Sequence, residues 1–183
     1  MKYKLGIGIP YYPENRICKV LFSYLKEILY LQIKDKKEVK LFIYENHDGM
    51  SKAKNIILDE LLKDCEYITF IDSDDRVKYN YIDKIIEAIK TKKEIYMTNF
   101  YIIDDKRIDK ELKNRNTATI YRNDIIKDLR FNENRNFGED KEFNDNLREY
   151  KVELIDTDYY YNYGINNDCI TYKYSRGELK EFK

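Results

Sequence analysis

Tyr67-Ile68-Thr69-Phe70-Ile71 runs directly into Asp72-Ser73-Asp74-Asp75, so an apolar, strand-like segment ends in a tight group of carboxylates. Such groups repel one another unless a cation or strong hydrogen-bond donors hold them, and the cluster reads first as a site for Mg²⁺ or Mn²⁺. A strand ending this way is a place to put a phosphate. For an isolated D-x-D, an acidic turn between strand and helix is the simpler account. The segments around it decide.

Upstream, Leu5 to Ile9 is a short apolar segment closed by Pro10 and Pro13. It is followed by Ile17, Val20, Leu21, Tyr24, Leu25, Ile28 and Leu31 at helical spacing. Val39 to Tyr44 gives a second strand, Glu45 to Gly49 a polar loop, and Ser51 is placed to cap a helix carrying Ile56, Ile57, Leu61 and Leu62. Downstream of the acidic cluster, Ile82, Ile85, Ile86 and Ile89 mark a third helix, and a strand is expected near Ile95 to Ile103. Alternating strands and helices predict an α/β fold, a Rossmann-like, mostly parallel sheet with helices on both faces, whose ligands bind beyond the carboxyl ends of the strands. That edge collects Pro10-Tyr11-Tyr12, Glu45-Asn46-His47-Asp48-Gly49 and the acidic cluster.

After Asp104-Asp105 the pattern weakens. Lys106 to Asn116 is highly charged and reads as a mobile loop or a distorted hairpin. A short strand from Thr117, a helix around Asn123 to Leu129 and a second helix with Phe143 and Leu147 follow. Strand-like Val152-Glu153-Leu154-Ile155 and the aromatic run Tyr159 to Tyr163 precede a polar tail, Ser175 to Lys183.

The chain of 183 residues suits one domain with a proper core. Its 34 basic and 34 acidic residues cancel, which argues against a general nucleic-acid or membrane-surface binder. Tyrosine is used 19 times and tryptophan never, a bias that nucleotide composition explains more simply than an aromatic-lined sugar site. Cys18, Cys65 and Cys169 are far apart, suit a reducing compartment and give no zinc spacing. Met1-Lys2-Tyr3-Lys4 leads into a stretch broken by Gly6, Gly8 and Pro10, which reads as a strand and not a signal peptide. No window approaches the ~20 apolar residues of a membrane span. The expected location is cytoplasmic.

In order, Ile7-Gly8-Ile9-Pro10-Tyr11-Tyr12, Gly49-Met50-Ser51-Lys52-Ala53-Lys54-Asn55, Phe70-Ile71-Asp72-Ser73-Asp74-Asp75 and Phe137-Gly138-Glu139-Asp140 resemble the family 2 glycosyltransferases of the GT-A fold. The resemblance implies a single GT-A domain that transfers a sugar from a nucleotide diphosphate donor, commonly a UDP-sugar, with Mn²⁺ or Mg²⁺ on the diphosphate. It divides the chain into a nucleotide-sugar-binding half, 1–103, an acceptor and catalytic half, 104–174, and a tail, 175–183. A metal clamped by carboxylates stabilises a departing diphosphate oxygen. Asp74 is the first choice of ligand, with Asp72 and Asp75 binding metal through water or holding donor hydroxyls, and Ser73 beside them.

By the same resemblance Asp140 is the base that accepts the acceptor's proton in a single displacement, which inverts the anomeric configuration. Glu139 then orients neighbours or holds acceptor hydroxyls. Acidic residues at a helix start also favour the positive end of its dipole, which needs no catalysis. Pro10 with Tyr11 or Tyr12 stands where the family contacts the base, and Glu45 or Asp48 where it usually places an aspartate. Lys54 replaces the arginine of an Ala-Arg-Asn motif, which implies a nucleotide contact less directional than arginine's planar fork would make, and an exposed helix lysine is the competing account. Asn162 occupies the basic position of a late Tyr-Tyr-Tyr-Arg-type stretch, which leaves the third side of the metal site to the donor, to water, or to Asn166, Asn167 or Asp168.

The lone histidine, His47, makes a histidine metal site or a Ser-His-Asp triad unattractive. An aspartate-nucleophile phosphohydrolase places its D-x-D on the first strand, and a nucleotidyltransferase carries a basic Gly-rich loop that Pro10-Tyr11-Tyr12-Pro13-Glu14 does not supply. The remaining alternative is a nucleotide-sugar-binding module without turnover. The acceptor class, whether a glycan, a lipid-linked sugar, a protein or a modified nucleic acid, is left open.

Overall fold

The alternation of apolar strands and amphipathic helices builds one sheet covered on both sides. In the computed structural model of the chain, residues 1–13, 16–45, 47, 49–103, 108–111, 118–135 and 138–162 are described. The elements among them are β1 (Tyr3–Tyr11), α1 (Arg16–Ile33), β2 (Val39–Glu45), α2 (Met50–Leu62), β3 (Cys65–Phe70), β4 (Arg76–Val77), α3 (Tyr81–Ala88), β5 (Ile95–Ile103), β6 (Ile108–Glu111), β7 (Thr119–Arg122), α4 (Asn123–Ile126), α5 (Glu139–Asp145) and β8 (Val152–Asn162).

The sheet order is β2-β1-β3-β7-β5-β8-β4, with β6 paired to β5. β1 is parallel to β2 and β3, whereas β7 is antiparallel to both β3 and β5. Two reversals restore the direction, so β5 and its parallel neighbour β8 run the same way as β1 to β3. The sheet is therefore mostly parallel in strand direction, with a short return strand in its middle and with β4 and β6 antiparallel to β8 and β5. The threonine hydroxyls beside that strand bond across it, Thr69 donating to the Thr119 carbonyl at 2.9 Å.

Leu5, Ile7 and Ile9 of β1 face a core built with α1 and α3, while Ile68 and Phe70 of β3 face a second core built with α2, α4 and α5. Period-two alternation sends neighbouring strand residues to opposite faces, and both faces are apolar because both are covered. On the second face β1 carries glycines instead of large side chains. A Cβ on Gly8 would lie 2.2 Å from a methyl of Ile57, so α2 sits directly on the strand backbone.

Three local expectations change. The buried face of α1 is Cys18, Leu21, Phe22, Leu25, Leu29 and Gln32, leaving Val20, Tyr24 and Leu31 exposed. The helix is apolar on so many positions that two overlapping stripes satisfy the spacing. Tyr11 stacking on Phe22 and the two hydrogen bonds of Gln32, to the Lys78 carbonyl and from the Ile82 amide, select one. Ser51 lies inside α2 behind Gly49, and its hydroxyl donates to the Arg135 carbonyl at 2.9 Å instead of capping the helix. The segments expected as Val152 to Ile155 and Tyr159 onward are one strand, β8, whose pairing with β5 shifts register between Thr98 and Asn99.

Candidate active site

Parallel pairing brings three chain segments to one sheet edge. Tyr11 lies opposite Glu45, and Gly8 opposite Phe70, so the loops after β1, β2 and β3 leave together. The acidic turn after β3 is closed by the Asp75 amide donating to the Asp72 carbonyl at 3.1 Å.

The end of β8 holds this turn from the side. The Tyr159 hydroxyl donates to Asp75 Oδ2 at 2.6 Å and accepts from the Asp72 amide at 3.1 Å. The Asn162 amide donates to Asp75 Oδ1 at 2.9 Å, and Asn162 Nδ2 donates to the Asp74 carbonyl. Both oxygens of Asp75 are thus engaged by protein donors. Its burial, with Asp74 and Asp72 nearby, still pushes its carboxyl well above the usual range against those two hydrogen bonds. Asp74 is also raised by burial.

Asp72 differs in having an unmet oxygen. Its Oδ1 is buried without a hydrogen-bond partner, as is Oδ1 of Asn162. Burial pushes the Asp72 carboxyl up to about 7, Lys54 opposes that, and Asp140, Asp74 and Glu139 add to it. Among the described residues no group of three or more His, Cys, Asp or Glu side chains is placed to hold a metal ion. The donor set left by the geometry is Asp72 and Asp74. Two carboxylates fit Mg²⁺ or Mn²⁺ bound together with waters and substrate phosphates, and they do not make an all-protein cage.

Opposite the turn, the helix start of the Gly138-Glu139-Asp140 motif forms as expected, with Gly138 at φ 75° turning the chain into α5. A left-handed residue at that point favours glycine. The side chain of Lys54 is 2% exposed, which rules out the exposed-lysine account, and it lies under this helix start. Its Nζ donates to Asp140 Oδ1 at 2.5 Å and to Glu139 Oε1 at 3.2 Å, and sits 5.4 Å above the Phe131 ring. Burial alone would lower its pKa. The carboxylates of Asp140, Asp72 and Glu139 outweigh that and hold the ammonium well above its usual range.

Asn55 makes the adjoining clamp, donating to the Phe131 carbonyl at 3.0 Å and Glu133 Oε1 at 2.9 Å while accepting from the Phe131 amide at 2.8 Å. The Lys54-Asn55 pair therefore ties α2 to the 131–133 segment and to α5. Within α5's first turn, the Asp140 side chain is 31% exposed and Glu139 only 11%. Of the two carboxylates that share Lys54, Asp140 is the one open enough to meet a ligand.

Of the residues expected around a base, Pro10 is buried, Tyr11 is half-buried against Phe22 with ring centres 4.1 Å apart, and Tyr12 is exposed. Glu45 is exposed, with an oxygen 3.9 Å from His47 Nε2. Ser73 is buried. Asp48, Asn166, Asn167 and Asp168 lie outside the described residues. Sequence reasoning gave no role to Asn55, Asn162 or Tyr159, whose bonding groups are set by partners remote in sequence. The available signals were Asn55 closing the Ala-Lys-Asn motif and Asn162 standing at a position expected to be basic.

The sequence pattern described as Glycosyl transferase family 2 matches residues 23–150. No curated protein matches the chain. Among solved structures, S. aureus TarS 1-349 in complex with UDP-GlcNAc aligns with a TM-score of 0.69 at 16% identity over 89% of this chain and 59% of that one. A197 from STIV aligns with a TM-score of 0.58 at 15% identity, over 86% of this chain and 85% of its own. GalNAc-T7 with UDP, GalNAc and Mn2+ gives 0.55 at 11% identity, over 88% of this chain and 44% of that one. The chain thus spans less than two thirds of the TarS and GalNAc-T7 chains. Identities this low establish the fold alone, and the matched residues establish the rest: the chain has the GT-A fold and belongs to glycosyl transferase family 2.

Proposed function

We propose that this chain binds a nucleotide diphosphate sugar, with UDP as the nucleotide, and transfers the sugar with inversion to an acceptor hydroxyl in a metal-dependent reaction. The observation that carries the reading is the meeting of two features at one sheet edge. These are the acidic turn with its unmet Asp72 oxygen and the half-open Asp140 held by Lys54.

Asp72 and Asp74 are the residues that would hold Mn²⁺ or Mg²⁺, which neutralises charge on the diphosphate when bound. Asp75 takes a different part from the one its position suggests. With both oxygens engaged by Tyr159 and Asn162, it fixes the turn's shape. Tyr12 and Glu45, at the rim after β1 and β2, are the side chains open to the base, with Pro10, Tyr11 and Ser73 shaping the floor behind them.

Asp140 receives the acceptor's hydroxyl proton as that oxygen forms its bond to the anomeric carbon. The bond from that carbon to the diphosphate oxygen breaks with its electron pair leaving on the nucleotide. Lys54 and Glu139 position Asp140: the ammonium fixes one carboxylate oxygen, and Glu139 shares the same ammonium from inside. In this reading residues 1–103 carry the donor and 104–174 the acceptor and base.

The engagement of Asp140 by Lys54 also suits a binding module without turnover, so the test separates the two. Parent protein is titrated with UDP in the presence and absence of MnCl₂ or MgCl₂, and UDP release from UDP-sugars is followed. Metal-dependent stabilisation that disappears in Asp74→Ala, together with released UDP, supports the enzyme. Stabilisation without release leaves a binding module. A parent indifferent to metal and nucleotide refutes both.

A further inference from the structure

Helix α1 has more apolar positions than one buried face can take. Leu21, Phe22, Leu25 and Leu29 pack inward, while Val20, Tyr24 and Leu31, spaced by four and seven residues, form a second stripe on the solvent side. Exposed Glu27 lies in the same stripe, and half-buried Ile28 borders it. Tyr79, in the turn between β4 and α3, widens the patch. It lines a cleft of about 220 Å³ together with Ile28, Leu31 and the Lys36–Asp83 ion pair.

Val20, Tyr24, Leu31 and Tyr79 are between 54% and 79% exposed. With ~150–250 Å² to each whole aromatic side chain, these four present on the order of 500 Å² of contiguous surface, toward the upper end of what a monomer leaves bare. Covered by the same patch of a second copy, they would bury on the order of 1,000 Å² in total, the size at which a specific, reversible dimer begins.

The stripe is also complementary to itself when reversed. If two α1 helices cross antiparallel about a two-fold axis between Leu25 and Lys26, Val20 of one copy faces Leu31 of the other, and Tyr24 faces Glu27. Each pairing then occurs twice. Apolar side chains meet apolar ones, and each carboxylate receives a tyrosine hydroxyl, so the one charge within the stripe gains a donor instead of being buried bare. A parallel arrangement would set Glu27 against Glu27, which like charges oppose. Helix α1 packs on the sheet face opposite α2 and α5, so pairing through it leaves Lys54 and Asp140 uncovered.

We propose that this stripe is where two copies of the chain pair, α1 antiparallel on α1. Sedimentation of the full chain at about 2, 20 and 200 µM should show monomer giving way to dimer, with a dissociation constant on the order of 10 µM. Leu31→Lys and Tyr24→Lys, at positions already in solvent, should each raise that constant at least about tenfold and keep the parent's melting temperature. The register is tested by disulfide trapping in a Cys169→Ser background. An oxidised mixture of Val20→Cys and Leu31→Cys chains should yield linked dimer, whereas either variant alone should not, because the two copies of position 20 lie about 16 Å apart along the helix pair. A parent that stays monomeric at about 200 µM overturns the proposal. So does a dimer that survives both lysine variants, trapping of either cysteine variant alone, or association of the parent with phosphatidylserine vesicles in place of self-pairing.

Discussion

Replacing Lys54 with methionine tests whether a buried charge organises this site. The substitution keeps the length of the side chain and its packing over Phe131 but removes the ammonium from between Asp140 and Glu139. Breaking a buried pair by removing one partner costs ~3–5 kcal/mol, because the remaining charge is left in a low-dielectric setting. Glu139, 11% exposed, has little access to water, whereas Asp140 at 31% recovers part of its hydration. The lower end of the range, ~3 kcal/mol, is therefore expected at neutral pH, corresponding to a melting temperature ~6–12 °C lower for a chain this size. The pH dependence follows from signs. The folded-state pKa of Lys54 is raised, so its contribution is complete below the unfolded value of ~10.4 and is lost only as pH rises through the higher folded value. Lys54 also opposes the rise of the Asp72 carboxyl to about 7, so without the ammonium that buried carboxyl titrates higher and costs the variant more stability as pH rises. The gap between parent and variant should therefore widen from pH 4.5 through 7 to 9. Thermal unfolding by circular dichroism at pH 4.5, 7 and 9, without metal, gives both readings. A variant that melts within about 1 °C of the parent at pH 7 refutes the buried ion pair.

Asp140→Asn should lower sugar transfer ~10²- to 10⁴-fold while leaving donor affinity nearly level, measured as released UDP against UDP binding, and Glu139→Gln should be milder. A product that retains the donor's anomeric configuration would refute single displacement. Tyr159→Phe removes the hydroxyl that donates to Asp75 and accepts from the Asp72 amide, so it should cost ~1–3 kcal/mol in urea unfolding and weaken metal-dependent UDP binding. An unchanged unfolding midpoint would contradict the clamp. Burial pushes the Cys65 thiol up to about 12, so site-resolved mass spectrometry at pH 8 should find it labelled by iodoacetamide only after urea unfolding. Rapid native labelling would mean that β3 opens.

The sheet edge was legible because its determinants are local. Apolar runs ending at Pro10, Glu45 and Asp72 each mark a strand's carboxyl end, and right-handed crossovers then place those ends together. The return strand β7 was legible as a strand but not in its direction, since three or four residues carry no information about which neighbours they join. The working partners of the site were not legible at all. Lys54 meets Glu139 and Asp140 across 85 and 86 positions, and Asp75 meets Tyr159 and Asn162 across 84 and 87. No spacing rule reaches that far.

Those long-range partners set the three carboxylates of the acidic cluster apart. Three carboxylates of the same kind in one turn differ only in what the rest of the chain brings to them. Asp75 receives a hydroxyl and an amide from β8 and holds the turn. Asp72 keeps an oxygen with no protein donor and has the buried ammonium of Lys54 within its field. That ammonium is also the partner of Asp140, so charge at the turn and charge at the α5 start are felt by a single group. A cation bound at Asp72 and Asp74 would relieve repulsion that Lys54 now helps to offset, and Asp140 would then remain its principal partner. The two sides of the proposed reaction, departure of the diphosphate and uptake of the acceptor's proton, are thus joined through one lysine, which the sequence offers as a nucleotide contact or an exposed helix residue and not as the partner of Asp140.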